Sequence, residues 1–154
     1  MSGETDLAQI RQAVRQLCDQ YGEDYWLQLD RDRGYPSEFV QELSEAGFLN
    51  ILIPEAYGGA GLGVIEASAV MEEVCRAGAH AGACHAQMYV MGSVLRHGNE
   101  AQKNRYLPEI ASGKLRLQSF GVTEPTTGTD TTSLKTVAKK DGDEYVINGQ
   151  KVWI

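Results

Sequence analysis

GVTEPTTGTD, residues 121–130, sets four threonines, two acids, two glycines and a proline in ten positions. A connector needs glycine and proline to turn, but it does not need this density of hydrogen-bonding side chains. Read alone, the stretch is a turn whose threonines bond their own backbone. Its neighbours decide the fold. The chain before it follows a helical grammar, and the chain after it alternates like strands.

Downstream, Leu134–Lys140 and Glu144–Ile147 alternate and are joined by Asp-Gly-Asp at 141–143, a hairpin signal. Asn148-Gly149 predicts a second tight turn, and a third run, QKVWI, fills 150–154. Upstream, Leu115, Leu117, Ser119 and Gly121 predict a strand that enters the loop. Before Gly113 the period changes. Leu7, Ile10, Val14, Leu17 and Tyr21 line one helical face, and a helical run resumes after Gly22 with Tyr25, Trp26 and Leu29. Pro36 suits a helix start, Phe39, Val40 and Leu43 face inward, and Gly47 fits a C-terminal cap. A short apolar run opens FLNILIPEAYGGAGLG (48–63), whose four glycines then rule out regular structure. A helix from about Val64 to Cys75 presents Val64, Ala67, Val70, Met71 and Val74 on one face. Residues 79–98 are apolar or small nearly all round, as a central helix is. Asn99 and Gln102 make a capping-box start for a last helix, in which Pro108 implies a kink or an early end.

The fold class is therefore α+β: helices over about 1–114 that can form a bundle, then about three strands with an open edge over 115–154. About forty residues of β structure with an open edge rarely stand alone, so the chain reads as the front of something longer.

Composition narrows the function. The 154 residues carry 42% apolar and 23% charged residues and a formal net charge of -7, with lysines and arginines scattered. That excludes a basic nucleic-acid footprint. No apolar stretch is long enough to span a bilayer, and MSGETDLAQI is unlike a signal peptide, so no membrane partner and a cytoplasmic setting are expected. Cys18, Cys75 and Cys84 are odd in number, sit in helical patterns and read as small core residues. There is no CxxC, and His80 and His85 are off a common face, so no metal site is expected.

Four stretches, taken in order, resemble the acyl-CoA dehydrogenases, a family of flavoenzymes. IPEAYGGAGLG (53–63) is similar to the family's Pro-Glu-x-Tyr-Gly-Gly loop, and HGNEAQKNRYLPEIASGK (97–114) to its Gly-x-x-x-Gln-Lys-x-x-Tyr-Leu-Pro helix. GVTEPTTGTD resembles the Thr-Glu-Pro-x-x-Gly-Ser-Asp motif, and INGQKVWI (147–154) the strand pair ending in Trp-Ile-Thr. The resemblance implies an N-terminal all-α helical bundle domain (1–114), a central β-barrel-like domain of which this chain holds only the first strands (115–154), and a C-terminal bundle carrying the glutamate base. No catalytic residue is then expected within these residues, and Glu124 is implied to be a structural part of its loop.

The resemblance further implies FAD as cofactor and an acyl-CoA thioester as substrate, with α,β-dehydrogenation by proton removal from Cα and hydride transfer from Cβ to flavin N5. Hydrogen-bond donors aimed at the flavin edges stabilise the reduced ring, which suits a loop of hydroxyls and exposed N–H groups. On that basis Phe120, Val122 and Thr123 line the isoalloxazine, with the Thr123 hydroxyl toward N5. Gly128 and Thr129 contact the flavin or its phosphates, and Thr129 also matches a substrate-contacting position. Trp153 packs on a flavin face with Ile154 beside it. Phe120 stands where the family has Tyr, and Thr129 where it has Ser. Electron-transfer flavoprotein as partner and a homotetramer or homodimer are implied in the same way. Two rival readings stand beside this one: a relative that uses the same flavin site for oxidation by oxygen or for hydroxylation, and a non-enzymatic helical interaction module. Trp153 as plain core and Met88 and Met91 as core are the bland readings of those residues.

Overall fold

A computed structural model describes residues 2–154, with side chains from Leu7 onward, and divides between Gln118 and Ser119 into two units. In the first unit the apolar spacing dictates the helices. α1 (Ser2–Cys18) turns Val14 and Leu17 inward. Tyr21 lies just past its end, edge-on to Phe39 with ring centroids 5.2 Å apart. α2 (Glu23–Asp32) buries no residue fully but packs Tyr25 and Trp26 against the core. α3 (Ser37–Glu45) buries Phe39, Val40 and Leu43, and Gly47 follows it at φ +82°, a left-handed closure.

Residues 48–53 alternate inward, with Leu49, Ile51 and Ile53 buried, yet they form turns and no strand. A short 3-10 turn (Glu55–Tyr57) and the glycines lead into α4 (Val64–Arg76). There Ala67, Val70 and Val74 are buried as the pattern requires, but Val64 is 72% exposed, since the first turn extends past the core. α5 (Ala81–His97) buries Ala83, Cys84, Ala86, Gln87, Met88 and Met91. It is not covered all round: His85, Tyr89, Ser93 and Arg96 form an exposed side. α6 (Glu100–Ala111) starts with the reciprocal Asn99–Gln102 box, both bonds at 2.9 Å, and continues past Pro108 to Ala111. Two apolar clusters result. The larger joins α1, α3, α4 and the first half of α5, and the smaller joins Ile53, Met91, Leu107, Ile110 and Ala111.

One feature of the first unit was invisible to hydrophobic spacing. Glu73 on α4 is fully buried, and its carboxylate accepts from Arg15 Nε at 2.6 Å and from Arg11 at 2.8 Å, tying α4 to α1. The Arg15 and Arg11 hydrogen bonds hold its carboxyl at about 2. The cysteines also divide: Cys18 and Cys84 are buried, whereas Cys75 is exposed and is not a core residue.

The strand expected over Leu115–Gly121 does not form. Leu115 and Leu117 pack on the smaller apolar cluster, and Gln118 donates to the Ala83 carbonyl at 2.7 Å, so the segment is held by side chains and has no partner strand.

In the second unit β1 (Val137–Asp141) pairs antiparallel with β2 (Glu144–Asn148), from Val137↔Asn148 to Asp141↔Glu144. Gly142 takes φ +59° in the two-residue loop, as such a hairpin demands. Every residue of both strands is exposed. The second turn at Asn148-Gly149 is absent, and Gly149 does not adopt a positive φ. QKVWI is accordingly not a third strand. It runs beside Thr123 through a single main-chain bond, Val152 N–H to Thr123 O at 2.9 Å. The α+β class holds, with the β part a hairpin plus irregular chain. No helix among the described residues is long and apolar enough to cross a membrane.

Candidate functional site

The loop that opened the sequence folds around one carboxylate. Glu124 and Thr127 exchange main-chain bonds at 2.9 and 3.1 Å across Pro125-Thr126, making a tight turn. Pro125 presets the backbone angle that such a turn needs. The Glu124 side chain turns inward and is almost completely buried. Its oxygens accept from Lys135 N–H at 2.6 Å, Thr136 N–H at 3.0 Å and Lys151 Nζ at 2.9 Å. Thr136, the Lys135 N–H and the Lys151 ammonium together hold the carboxyl at about 2. Glu124 is thus ionised and fully engaged within the loop, which removes it as a candidate base.

The remaining polar groups fall into two sets. Thr127 donates to the Ser133 carbonyl at 3.3 Å. Asp130 caps the 3-10 turn Thr131–Ser133, accepting from the Ser133 hydroxyl and from the hydroxyl and N–H of Thr132, and those bonds lower its pKa. These side chains build the loop. By contrast, among the described residues no partner takes the hydroxyl of Thr123, Thr126 or Thr129.

Phe120, Val122 and Thr123 come beside Trp153 and Ile154. Besides the Val152–Thr123 bond, Lys151 Nζ donates to the Val122 carbonyl at 2.9 Å. A methyl placed on Gly121 would meet Lys151 Cγ at 3.7 Å and Ile154 Cδ1 at 3.8 Å. Of the apolar members Ile154 is 72% exposed, Trp153 92% and Phe120 54%. Trp153 also holds φ +61°, a region that bulky residues enter only under constraint. Within the second unit Trp153 is therefore not core. Gly128 and Thr129 lie beyond the turn, both exposed, and nothing stands within 4 Å of where a Cβ on Gly128 would point.

Lys151 was not anticipated as part of the site. The signal available was its place in Gln-Lys-Val-Trp, two residues before Trp153. Its reach to Val122 and Glu124 depends on a long-range pairing that the local pattern does not encode. Among the described residues no group of three or more metal-ligating side chains converges.

The family model described as acyl-CoA dehydrogenase, N-terminal domain, matches residues 4–114, and the one for the middle domain matches 119–154. The chain belongs to the acyl-CoA dehydrogenase family. It is 38% identical over 146 residues to the acyl-CoA dehydrogenase FadE12 of Mycobacterium tuberculosis, covering 94% of this chain and 37% of that protein. Among solved structures, an acyl-CoA dehydrogenase from Geobacillus kaustophilus superposes with a TM-score of 0.83 at 28% identity, over 95% of this chain and 38% of that one. An acyl-CoA dehydrogenase complexed with FAD, from Bacillus anthracis, gives 0.74 at 29% identity, over 96% of this chain and 26% of that one. The family match runs through both units, so the loop and the 151–154 segment fall within a middle domain of this family.

Proposed function

We propose that these residues form part of an FAD-dependent acyl-CoA dehydrogenase. The observation that carries the reading is the pairing of 120–123 with 151–154, which brings an exposed indole and the Thr123 hydroxyl onto adjoining segments. A flat, apolar ring with polar edges fits that set. The indole and phenyl supply the large apolar contact and stacking preference of aromatic groups, and the Thr123 hydroxyl supplies a donor. Flavin, when bound, supplies the acceptance of hydride. Trp153 and Ile154 cover a face of the ring, Thr123 and the main-chain N–H groups of the loop orient its edge, and Phe120 and Val122 exclude water from it. Gly128 leaves its N–H approachable, and Thr129 offers a hydroxyl to cofactor or substrate.

The chain spans less than two fifths of the length of FadE12. The acyl-CoA substrate, transfer of electrons to an electron-transfer flavoprotein, and assembly as a homodimer or homotetramer are therefore proposed for the whole protein. A reducing, cytoplasmic compartment agrees with three free cysteines.

The test uses the protein produced from its complete reading frame. Purified protein carrying bound FAD, bleached anaerobically by an acyl-CoA and reoxidised by electron-transfer flavoprotein, supports the proposal. Stoichiometric peroxide release under air moves it to an oxidase of the same fold. A folded, colourless protein that takes up no FAD overturns it.

A further inference from the structure

Neither stretch of the proposed flavin surface belongs to a helix or a sheet. Residues 120–123 and 149–154 are irregular, and one main-chain bond, Val152 N–H to Thr123 O, joins them. A single bond is a hinge, and it does not fix the mutual angle of two side chains. The second tie is the Lys151 ammonium, which donates at 2.9 Å to the Val122 carbonyl and at 2.9 Å to Glu124 Oε1. It bonds at once to the residue before Thr123 and to the residue after it. Glu124 in turn is anchored by the Lys135 and Thr136 N–H groups, just ahead of β1. The tie is sheltered, with side-chain exposure of 27% for Lys151 and 3% for Glu124. Hydrogen bonds between ionised partners are shorter and about twice as strong as neutral ones.

We propose that Lys151 is a positioning residue: its clamp onto Val122 and Glu124 fixes Thr123 and Trp153 in the relative placement that binding the flavin ring requires. The inference rests on the flavin reading above. It differs from a plain stabilising ion pair in what its loss does. The two segments keep their main-chain bond and the fold survives, but the ring surface loses its register. Misplacing a binding group by about 1 Å is enough to lose on the order of a hundredfold in function. Lys151 is also the only cation whose side chain faces Glu124 among the described residues, since Lys135 meets it through its N–H. Without Lys151 the carboxyl of Glu124 titrates at a higher pH than it does now. FAD affinity then becomes acid-sensitive in a range where the unaltered protein is indifferent.

The experiment compares the complete holoprotein with Lys151→Met, Lys151→Arg and Lys151→Met/Glu124→Gln. FAD dissociation constant, visible flavin spectrum, far-UV circular dichroism and the pH profile of FAD binding are measured. The expected result for Lys151→Met is an unchanged far-UV spectrum, a dissociation constant raised about tenfold or more, a shifted flavin spectrum, and affinity that falls as pH is lowered. The added Glu124→Gln removes the pH dependence, and Lys151→Arg restores part of the affinity. Lys151→Met that binds FAD with unchanged affinity, spectrum and pH profile overturns the proposal. So does an affinity loss without pH dependence that arginine does not relieve. Should Lys151→Met fail to fold, Lys151→Arg decides alone: a lowered affinity with a shifted flavin spectrum supports a positioning role, and an unshifted spectrum refutes it. Failure of the unaltered protein to bind FAD defeats the functional reading itself, a distinct outcome.

Discussion

Gly149→Ala is the sharpest mechanical test of the loop's construction. An ideal Cβ at Gly149 falls 2.1 Å from Thr136 Oγ1, 2.5 Å from Thr136 Cβ and 2.6 Å from Thr136 Cγ2. Rotating the threonine moves its hydroxyl and methyl, but not its Cβ. Relief requires main-chain movement of about 1 Å to regain the 3.5–4.0 Å of ordinary carbon contact. Thr136 N–H lies 3.0 Å from Glu124 Oε1, so a displacement of that size breaks the bond. Overpacking of this kind costs about 1–3 kcal/mol. For a chain of this size each kcal/mol moves the melting temperature by roughly 2–4 °C, so a fall of roughly 2–12 °C is expected. The assay is a thermal melt paired with amide exchange, in which the Thr136 N–H should lose protection before the helices do. Thr136→Gly should restore part of the loss, whereas Thr136→Ala should not, because the offending Cβ remains. An unchanged melting temperature with a still-protected Thr136 amide refutes the argument, as does full rescue by Thr136→Ala.

Gly128→Ala should do the opposite: its Cβ enters open space at a φ that other residues adopt, so stability should hold or rise by about 0.4–1 kcal/mol. FAD affinity of the complete protein should fall all the same if the main chain there approaches the cofactor, which equilibrium titration will read. Glu73 is ionised with its carboxyl at about 2 against an ordinary 4.5. A depressed native value gives stability that is complete above pH 4.5 and lost as pH falls through about 2. Glu73→Gln should therefore lower stability at neutral pH and flatten the acid unfolding curve in that window, with Glu124 supplying the remaining slope, as followed by circular dichroism. Burial pushes the Cys84 thiol up to about 12 and the Cys18 thiol up to about 11, while Cys75 is exposed. A thiol reagent at neutral pH should modify one cysteine quickly and the other two only on unfolding, with Cys75→Ser abolishing the fast phase.

The helices were legible because their information is local. Phe39, Val40 and Leu43, or Ala67, Val70 and Val74, repeat at helical spacing and are buried where that spacing puts them. The Asn99–Gln102 box and the Asp-Gly-Asp hairpin were legible for the same reason: their bonds close within a few residues. The errors share the opposite cause. Leu115–Gly121 and QKVWI have strand-like alternation, but a strand exists only where a partner supplies the other half of each bond, and alternation does not specify a partner. Asn148-Gly149 carries turn chemistry, yet Gly149 is needed there for clearance from Thr136 and not for a positive φ. Glu73 reads as a solvated residue on a helix until α1 brings Arg11 and Arg15 against it. At the candidate site the residues named in advance came from the resemblance alone. The Lys151 clamp was not, because it spans 27 residues of sequence to Glu124.

The density of hydroxyls in residues 121–130 divides along a physical line. Thr127 bonds the Ser133 carbonyl, and Asp130 gathers the hydroxyls of Thr132 and Ser133, so these groups maintain the loop. Glu124 does the same work from inside, drawing in two main-chain N–H groups and an ammonium. A turn that served only as a connector would need nothing more. Thr123, Thr126 and Thr129 remain outside that network. Thr126 and Thr129 are bathed in solvent, where an unpaired hydroxyl carries no penalty. Thr123 differs: it is half-buried, its carbonyl is engaged by Val152, and Trp153 and Ile154 beside it expose most of their apolar surface. A hydroxyl donor beside an exposed indole suits the flat ring with a polar edge proposed above. Within this loop, then, the groups that hold the structure and the groups free to hold a ligand are different residues, and Lys151 is the residue that connects the two sets.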